Sequence, residues 1–588
     1  MVTFDQLRDL RPAELEDAAD GWHRLSSAAG AAKGRVTDEI ATRLQLAVTG
    51  EGVDAAVERL HELARSCHHA QVETGLIRTA LNGLAGELRS AQQKLADAVA
   101  DAEAEQFTVE SDGSVHWVDK DPAAPLAPHQ SVRGSRPSVV IGSDPDPKRA
   151  KAQEYVDRIG TALREATEAD ARYARALGRL HADSDLNVSD AEWVDAQRDM
   201  AAVRGAADHV TAGDIPKDKS PKENADWWKG LSQDEQADYI ALHPASVGAL
   251  DGLPATVRDE ANRAVLAEKR ADYQTQLNAI PPEPIKIQPG RVGSPIATRT
   301  AEWIAWDKKW GDKRSQLEAS LKGMGDIQNR FARNDLGPED DRFPRAYLLA
   351  FSSEGRGRAV IANGNPDTAD HTAVYVPGTD AGLGNFAHDI KRMTNLWVAA
   401  DSTADGKSVS TITWLGYDAP QGVKQAAYSK YADHGASDLN RFVDGIHASR
   451  ATDSPGHLTV AGHSYGSTLT GTAARQGDLH ADDVILTGSP GVRVGRATDL
   501  DVPEGHVWNE EAQGDWIPEA GRVAHGHKEY HWDSGLDSVI PSDDRFGAHQ
   551  MRTDTDGHSG YWDEDSESLK NQARVVVGEY SRVKKETW

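Results

Sequence analysis

The run Leu458-Thr459-Val460-Ala461-Gly462-His463-Ser464-Tyr465-Gly466 sets one serine between two glycines, each two residues away. Apolar residues suited to a strand precede it, and small, helix-compatible residues follow from Ser467 to Ala474. Strand, sharp turn and helix in that order lift a hydroxyl above the strand ends, and bulk at either glycine would strike the neighbouring backbone. Ser464 is therefore a candidate nucleophile. A serine hydroxyl attacks poorly at neutral pH unless a histidine takes its proton and a carboxylate fixes that imidazole's tautomer.

The expected chain order after such a turn is serine, acid, histidine. Behind the predicted strand His506–Asn509, the loop from Glu510 to Pro518 offers Glu510, Glu511 and Asp515, and spacing alone does not choose among them. His558, in Asp556-Gly557-His558-Ser559-Gly560, lies on a loop before the last predicted helix, Ser566 to Val583. His525, His527, His531 and His549 compete with it, but the first three precede the expected last strand and His549 falls inside it. His463, beside the serine, points off the turn and reads as structural. A developing oxyanion needs two backbone N–H donors. Tyr465 supplies one, and Thr379, in the loop Val376-Pro377-Gly378-Thr379-Asp380-Ala381-Gly382, is the best second. This chemistry calls for no cofactor and no metal.

The elements that must carry these residues begin near Arg345, where short β-rich runs alternate with longer helical patterns, the mark of a mostly parallel sheet flanked by helices. Predicted strands are Tyr347–Phe351, Ala359–Ala362, Thr372–Val376, Thr411–Leu415, Leu458–Ala461, Val484–Thr487, His506–Asn509 and about Ala548–Arg552. Upstream the chain is largely helical. Apolar positions three and four apart run from Leu15 to Val36 and from Val53 to Ala102, separated by Gly50-Glu51-Gly52, which predicts an antiparallel helical hairpin resting on another helix or on a partner chain. Val115–Val118 and Phe107–Glu110 flank an Asp-Gly turn and read as a β-hairpin. The division expected is 1–120 helical hairpin with β-hairpin, 121–147 proline- and serine-rich linker, 148–340 helical region, and 341–588 the sheet-bearing domain. Within 148–340, helices are predicted at about 148–204, 222–278 and 298–333.

A chain of 588 residues exceeds what one core organises, roughly 250 to 300 residues. With 65 basic and 93 acidic side chains the net charge is −28, which repels phosphate backbones and makes nucleic acid an unexpected partner. No apolar run is long enough to span a bilayer, and the first ten residues lack a secretory layout, so the expected location is cytoplasmic. The single cysteine, Cys67, excludes an internal disulfide and falls on the apolar seam of a helix, where a buried thiol behaves as a small hydrophobe.

Several phrases resemble a family of actinobacterial α/β-hydrolases known as a domain of unknown function: Val376-Pro377-Gly378-Thr379, Trp414-Leu415-Gly416-Tyr417, Ala461 to Ser467, Thr487 to Val492, Gly514-Asp515 and His558-Ser559-Gly560-Tyr561-Trp562. The likeness runs from about Tyr347 to the C-terminus and implies an α/β-hydrolase fold with Ser464, Asp515 and His558 as the triad. Trp227-Trp228, Leu250 to Pro254, Arg258-Asp259 and Asn262-Arg263 are similar to the segment preceding the hydrolase domain there. The N-terminal hairpin resembles the WXG-type hairpins linked to type VII secretion, though Val48-Thr49-Gly50 stands where their Trp-x-Gly turn would be; this adds export by such a route as a second expected location. A Tyr-x-x-x-Asp match at Tyr561–Asp565 reads as chance. The resulting expectation is a serine hydrolase forming an acyl-enzyme on Ser464, with a small-molecule or lipid carboxylic ester as substrate. The alternatives are an inert interaction or secretion-linked module and a toxin-like effector. The N-terminal helices are the expected surface for a protein partner or self-association. The short stretch between Ser489 and Asp515 leaves little room for a lid.

Overall fold

The computed structural model describes residues 1–41, 43–44, 48, 50–117, 130–132, 147–180, 187–207, 209–288, 298–332, 343–450, 456–477, 479–531 and 535–586. They form two units. One comprises Met1–Ala32, Arg65–Asn187 and Asp195–Asp214, and the other Lys33–Ala64, Val188–Val194 and Ile215–Trp588.

In the first unit, Pro12–Gly34 and the downstream part of Glu51–Ala104 lie antiparallel, since Glu16 pairs with Arg89 while Ser26 Oγ donates to the Gln71 carbonyl at 2.9 Å. The hairpin does rest on a further helix. Pro147–Leu177 runs antiparallel to Glu51–Ala104 through Arg172–Glu87, Glu165–Lys94 and Arg158–Asp101. The expected β-hairpin forms as Thr108–Val109 against Val115–Trp117, and Gln130–Val132 adds a third strand inside the stretch read as linker. The rest of 121–147, up to residue 146, lies outside the described residues, as does Thr49 of the Val48-Thr49-Gly50 turn. Cys67 is half-buried rather than buried. The helix expected at 148–204 is two, Pro147–Leu177 and Asp190–Ala206. Among the described residues no helix is long and apolar enough to cross a membrane.

The second unit holds an eight-stranded sheet: β1 (Ala346–Ser352), β2 (Arg358–Asn363), β3 (His371–Val376), β4 (Val409–Leu415), β5 (His457–His463), β6 (Asp483–Thr487), β7 (Val507–Glu510) and β8 (His549–Gln550), in the order β8-β7-β6-β5-β3-β4-β2-β1. Only β2 runs against its neighbours; the other pairs are parallel. All eight predicted strands are present, with ends moved by one or two residues for most. Strands buried on both faces need continuous apolar sequence, and every residue of β3, β4 and β6 is buried. Along β3 the side chains alternate between two cores: Val374 and Val376 join Leu469 and Leu439 on one face, Ala373 and Tyr375 join Met393, Tyr561 and Leu569 on the other. Because β3 neighbours both β4 and β5, its connections diverge and leave a crevice at the carboxyl ends of β3 and β5, where open parallel sheets place ligands.

Residues 215–340, grouped in sequence with helices from residue 148, belong to this unit from Ile215 onward. The long helix read at 222–278 is four, Pro221–Gly230, Gln233–Leu242, Pro244–Gly248 and Ala255–Asn278. Ser220 and Ser232 start two of them as side-chain caps, and prolines sit at the entry of the others. Ala255–Asn278 lies along β1: Asp259 Oδ1 accepts from Leu348 N–H at 2.8 Å, Asn262 donates to the Leu348 carbonyl at 3.0 Å, and Arg263 to that of Ala346 at 2.9 Å. Side chains thus satisfy the edge strand where a further strand would have paired. Near residue 300, Thr298–Arg299 pairs with Ile287–Gln288 and the helix begins only at Ala301. The last helix is also shorter than expected, Glu567–Val576, because Gly578 at φ +76° turns the chain away.

Packing at the serine turn is tight. A methyl group on Gly466 would lie 2.1 Å from the Val376 carbonyl oxygen, and one on Gly462 2.6 Å from Ser467 Cα. Backbone atoms cannot yield as side chains do, so Gly466→Ala is expected to cost more than about 2 kcal/mol, as overpacking of a rigid interior does. Urea unfolding of the variant against wild type measures this, and equal midpoints would mean that the β3 and β5 ends separate readily.

Candidate active site

Ser464 joins β5 to the helix Tyr465–Gln476 with φ +54° and ψ −127°, a left-handed conformation that a side-chain-bearing residue holds only under constraint. Its N–H donates to the Thr487 carbonyl at 3.0 Å, and Ser467 returns N–H and Oγ–H to the Ser464 carbonyl at 3.0 and 2.6 Å. The loop after β3 passes directly over it: a Cβ on Gly378 would sit 2.7 Å from Ser464 Cβ. That loop is pinned by Tyr417 Oη–H to the Pro377 carbonyl (2.7 Å), by Asp380 N–H to Pro420 (2.8 Å) and by Gly422 N–H to the Asp380 carboxylate (2.8 Å). The backbone N–H groups of Thr379 and Tyr465 have no acceptor among the described residues.

Asp515 follows β7 after Gly514, whose φ of +74° turns the loop back. Its carboxylate faces His558 Nδ1 with both oxygens, at 2.8 and 3.0 Å, and accepts from Tyr561 Oη (2.6 Å) and from Ile517 N–H (3.0 Å). Burial alone would raise this carboxyl's pKa, but the hydrogen bonds from His558 and Tyr561 outweigh it and hold the group below its ordinary value. A bridge between Gln513 and Asp556, with Gly557 N–H donating to the Gln513 carbonyl at 2.8 Å, ties the acid loop to the histidine loop. With Nδ1 committed to Asp515, Nε2 is the nitrogen of His558 left for proton transfer. Ser464 and His558 line one cleft of about 780 Å³ together with Thr379, Tyr465 and Arg392. Among the described residues Ser464 Oγ makes no hydrogen bond, so hydroxyl and imidazole share the cleft without being joined in it.

The rival groups lie elsewhere. Glu510, the last residue of β7, is fully buried, accepts from Gln572 at 2.9 Å and is driven far above the ordinary carboxylate range by that burial. Glu511, half-buried, is raised for the same reason. His525 Nε2–H donates to the Ala426 carbonyl at 2.6 Å, and His549 sits in β8 as expected. His527 and His531 belong to a hairpin, His527–His531 with Gly535–Val539, that sequence reasoning missed.

Several residues matter more than their sequence signal suggested. His463 is structural in a specific way: its Nε2–H donates to the carbonyl of His558 itself at 2.8 Å, and its Nδ1 faces Arg392 Nη1 at 3.5 Å. Burial, then the Arg392 charge, keeps the His463 pKa far below that of a free imidazole, so the ring is neutral. Arg392 Nη1 donates to Tyr375 Oη at 2.7 Å and to Asp389 at 3.1 Å. A Cβ on Gly488, φ +54°, would lie 2.7 Å from Asp515 Oδ2 and 3.0 Å from His558 Nδ1, so this position must stay bare for Asp515 and His558 to meet. Tyr561, part of the chance Tyr-x-x-x-Asp match, is buried and committed to Asp515. Among the described residues no group of three or more His, Cys, Asp or Glu side chains is placed to hold a metal ion.

The sheet order, the strained serine after β5 and the loops gathered at the carboxyl ends of the strands define an α/β-hydrolase domain. Residues 353–525 match a family described as alpha/beta hydrolase. An uncharacterized protein of Mycobacterium tuberculosis is 30% identical over 383 residues, 60% of this chain and 55% of that protein, so the chain spans about half the length of this relative. An uncharacterized protein of Mycobacterium bovis is 33% identical over 214 residues, 35% of this chain and 76% of that protein. The chain belongs to one family with these uncharacterized mycobacterial proteins, and its residues 353–525 carry the alpha/beta hydrolase match. Among solved structures, Trichoderma reesei cutinase in complex with a phosphonate inhibitor aligns at 12% identity with a TM-score of 0.24, covering 46% of this chain and 93% of that one.

Tyr561→Phe removes one donor from Asp515 without opening space. Since a hydrogen bond to a charged group is worth roughly 1.5 to 3 kcal/mol, kcat/KM should fall about tenfold or more. With that donor gone the carboxyl binds a proton more readily, so the acid side of the pH profile should move to higher pH. A profile of unchanged shape and height would show that Tyr561 only fills volume.

Proposed function

We propose that the chain is a serine hydrolase that cleaves carboxylic esters through an acyl-enzyme on Ser464. The observation that carries this reading is the two-oxygen pairing of Asp515 with His558 Nδ1, which leaves His558 Nε2 as the base in the cleft that Ser464 also lines. His558 takes the hydroxyl proton as Ser464 Oγ attacks the carbonyl carbon, and Asp515 stabilises the imidazolium. The oxyanion is received by the N–H groups of Thr379 and Tyr465, which are unengaged and flank the serine. His558 then returns the proton to the departing alcohol. Water, deprotonated by the same imidazole, attacks the acyl-enzyme and frees the acid. Esters fit better than amides because an alkoxide leaves with less assistance than an amine.

Labelling of the purified chain with a fluorophosphonate probe tests this. Wild type should label, Ser464→Ala should not, and His558→Ala and Asp515→Asn should label on the order of a thousandfold or more slowly. A folded wild type that fails to label would give the hydrolase fold a scaffold role instead.

A further inference from the structure

The cleft is chemically divided, and the division follows the two faces of the sheet. On the face whose core holds Tyr561 and Trp562, its wall is polar: His388, Lys391, Arg392 and Asn395. On the face whose core holds Tyr465, with Ala426 packed against it, the wall is made by two short helices, Gly422–Ala426 and Ile517–His525. Their cleft-lining side chains are Val423, Ala426, Ile517, Ala520, Ala524 and, at the end of the second helix, His525, with Pro490 beneath. Apart from the Ser464 region itself, this wing offers a ligand few side-chain polar groups; small apolar residues leave a groove beside the serine.

This wing is built rather than loosely apposed. His525 at the end of the second helix donates to the Ala426 carbonyl at the end of the first, and its ring packs edge-on against Tyr465 with 5.4 Å between centroids. Tyr465 Oη–H donates to the Tyr428 carbonyl at 2.6 Å and accepts from Ala432 N–H at 3.1 Å, so the residue that follows the nucleophile also fixes the wing's floor. Gly521 must lack a side chain because a Cβ there would lie 2.1 Å from Pro490 Cβ; the helix is seated on the loop after β6. Val423 (71%) and Trp516 (61%), which also line the cleft, and Val523 (73%) of the second helix are exposed.

We infer that this wing is an acyl-chain site: the substrate is an ester of a medium or long aliphatic acid, its chain lying between Gly422–Ala426 and Ile517–His525, its alcohol portion directed to the polar wall. The inference rests on the serine-hydrolase reading above and names the substrate class for that site. Ala520 and Ala524, four residues apart and so on one helix face, set the length of chain admitted. Each methylene taken out of water contributes about 0.8 kcal/mol, close to a fourfold gain in kcat/KM, until the groove is filled.

The test measures kcat/KM for p-nitrophenyl esters from acetate to laurate with wild type, Ala520→Phe and Ala524→Phe. Both positions are solvent-facing within the cleft, and the ratio of long- to short-chain rates within one variant is independent of its active fraction. Wild type should gain about fourfold per methylene over several carbons, and each phenylalanine should invert the decanoate-to-acetate preference by at least tenfold. A wild-type preference for acetate, or a chain-length profile that neither substitution moves, overturns the proposal while leaving the hydrolase reading intact. If wild type neither labels nor hydrolyses, that reading falls, and the groove is then judged by equilibrium binding of a fluorescent dodecanoyl probe to Ser464→Ala. Saturable binding that Ala520→Phe weakens tenfold sustains the acyl-chain site; no binding, or binding indifferent to Ala520→Phe, removes it.

Discussion

The left-handed backbone of Ser464 is the constraint on which the rest of the domain depends. Such a conformation costs a side-chain-bearing residue on the order of 1 to 3 kcal/mol and persists only where neighbours leave no alternative. Here they leave none. The serine's N–H is held by the end of β6, its carbonyl by Ser467, and the glycines at 462 and 466 let β3, β5 and the following helix close around it. Relaxing the turn would break contacts with three strands at once. The reward is geometric: hydroxyl and following N–H both face the crevice at the sheet's switch point.

Around this turn the protein commits many polar groups to orientation. Asp515, its side chain wholly buried, receives three donors, and His558 is gripped twice, at Nδ1 by Asp515 and at its carbonyl by His463. Behind His463 stand Arg392, Tyr375 and Asp389, a network in which burial raises the Asp389 carboxyl while the adjacent guanidinium opposes that shift. A partly satisfied network in a low-dielectric setting would be costly, whereas one whose donors find acceptors fixes a single arrangement. His558 is thus held by its backbone as well as its ring.

Much of this was legible from sequence because the sheet is parallel and doubly buried. Continuous runs such as Thr372–Val376 and Val484–Thr487 can hardly be anything else when bounded by turns, and the glycines flanking Ser464 carry a steric meaning of their own. The acid was not legible from spacing. Glu510, Glu511 and Asp515 all follow β7, and what separates them is the pleat, which turns Glu510 inward, and Gly514, which reverses the loop. The hairpin His527–His531 with Gly535–Val539 was missed because its strands are largely polar and show no apolar alternation. The helix read at 222–278 keeps its ends but is broken inside by the Ser232 cap and by Pro244 and Pro254, and the one read at 566–583 stops early, before Gly578. His463 and Arg392 gave no periodic or motif signal; their roles exist only once β3, β5 and the histidine loop are side by side.

The helix Ala255–Asn278 closes the open edge of the sheet with three side chains, Asp259, Asn262 and Arg263, bonded to the backbone of β1. A sheet edge sealed in this way is not separable from what seals it. The aligned 60% of the chain shared with the Mycobacterium tuberculosis relative is more than the residues from Ala346 onward can supply, so the shared sequence reaches into the helices ahead of β1. The element passed down as a module is accordingly the sheet with its helical border, and a gene fusion or deletion that cut between them would hand on an exposed, adhesive strand edge rather than a closed domain.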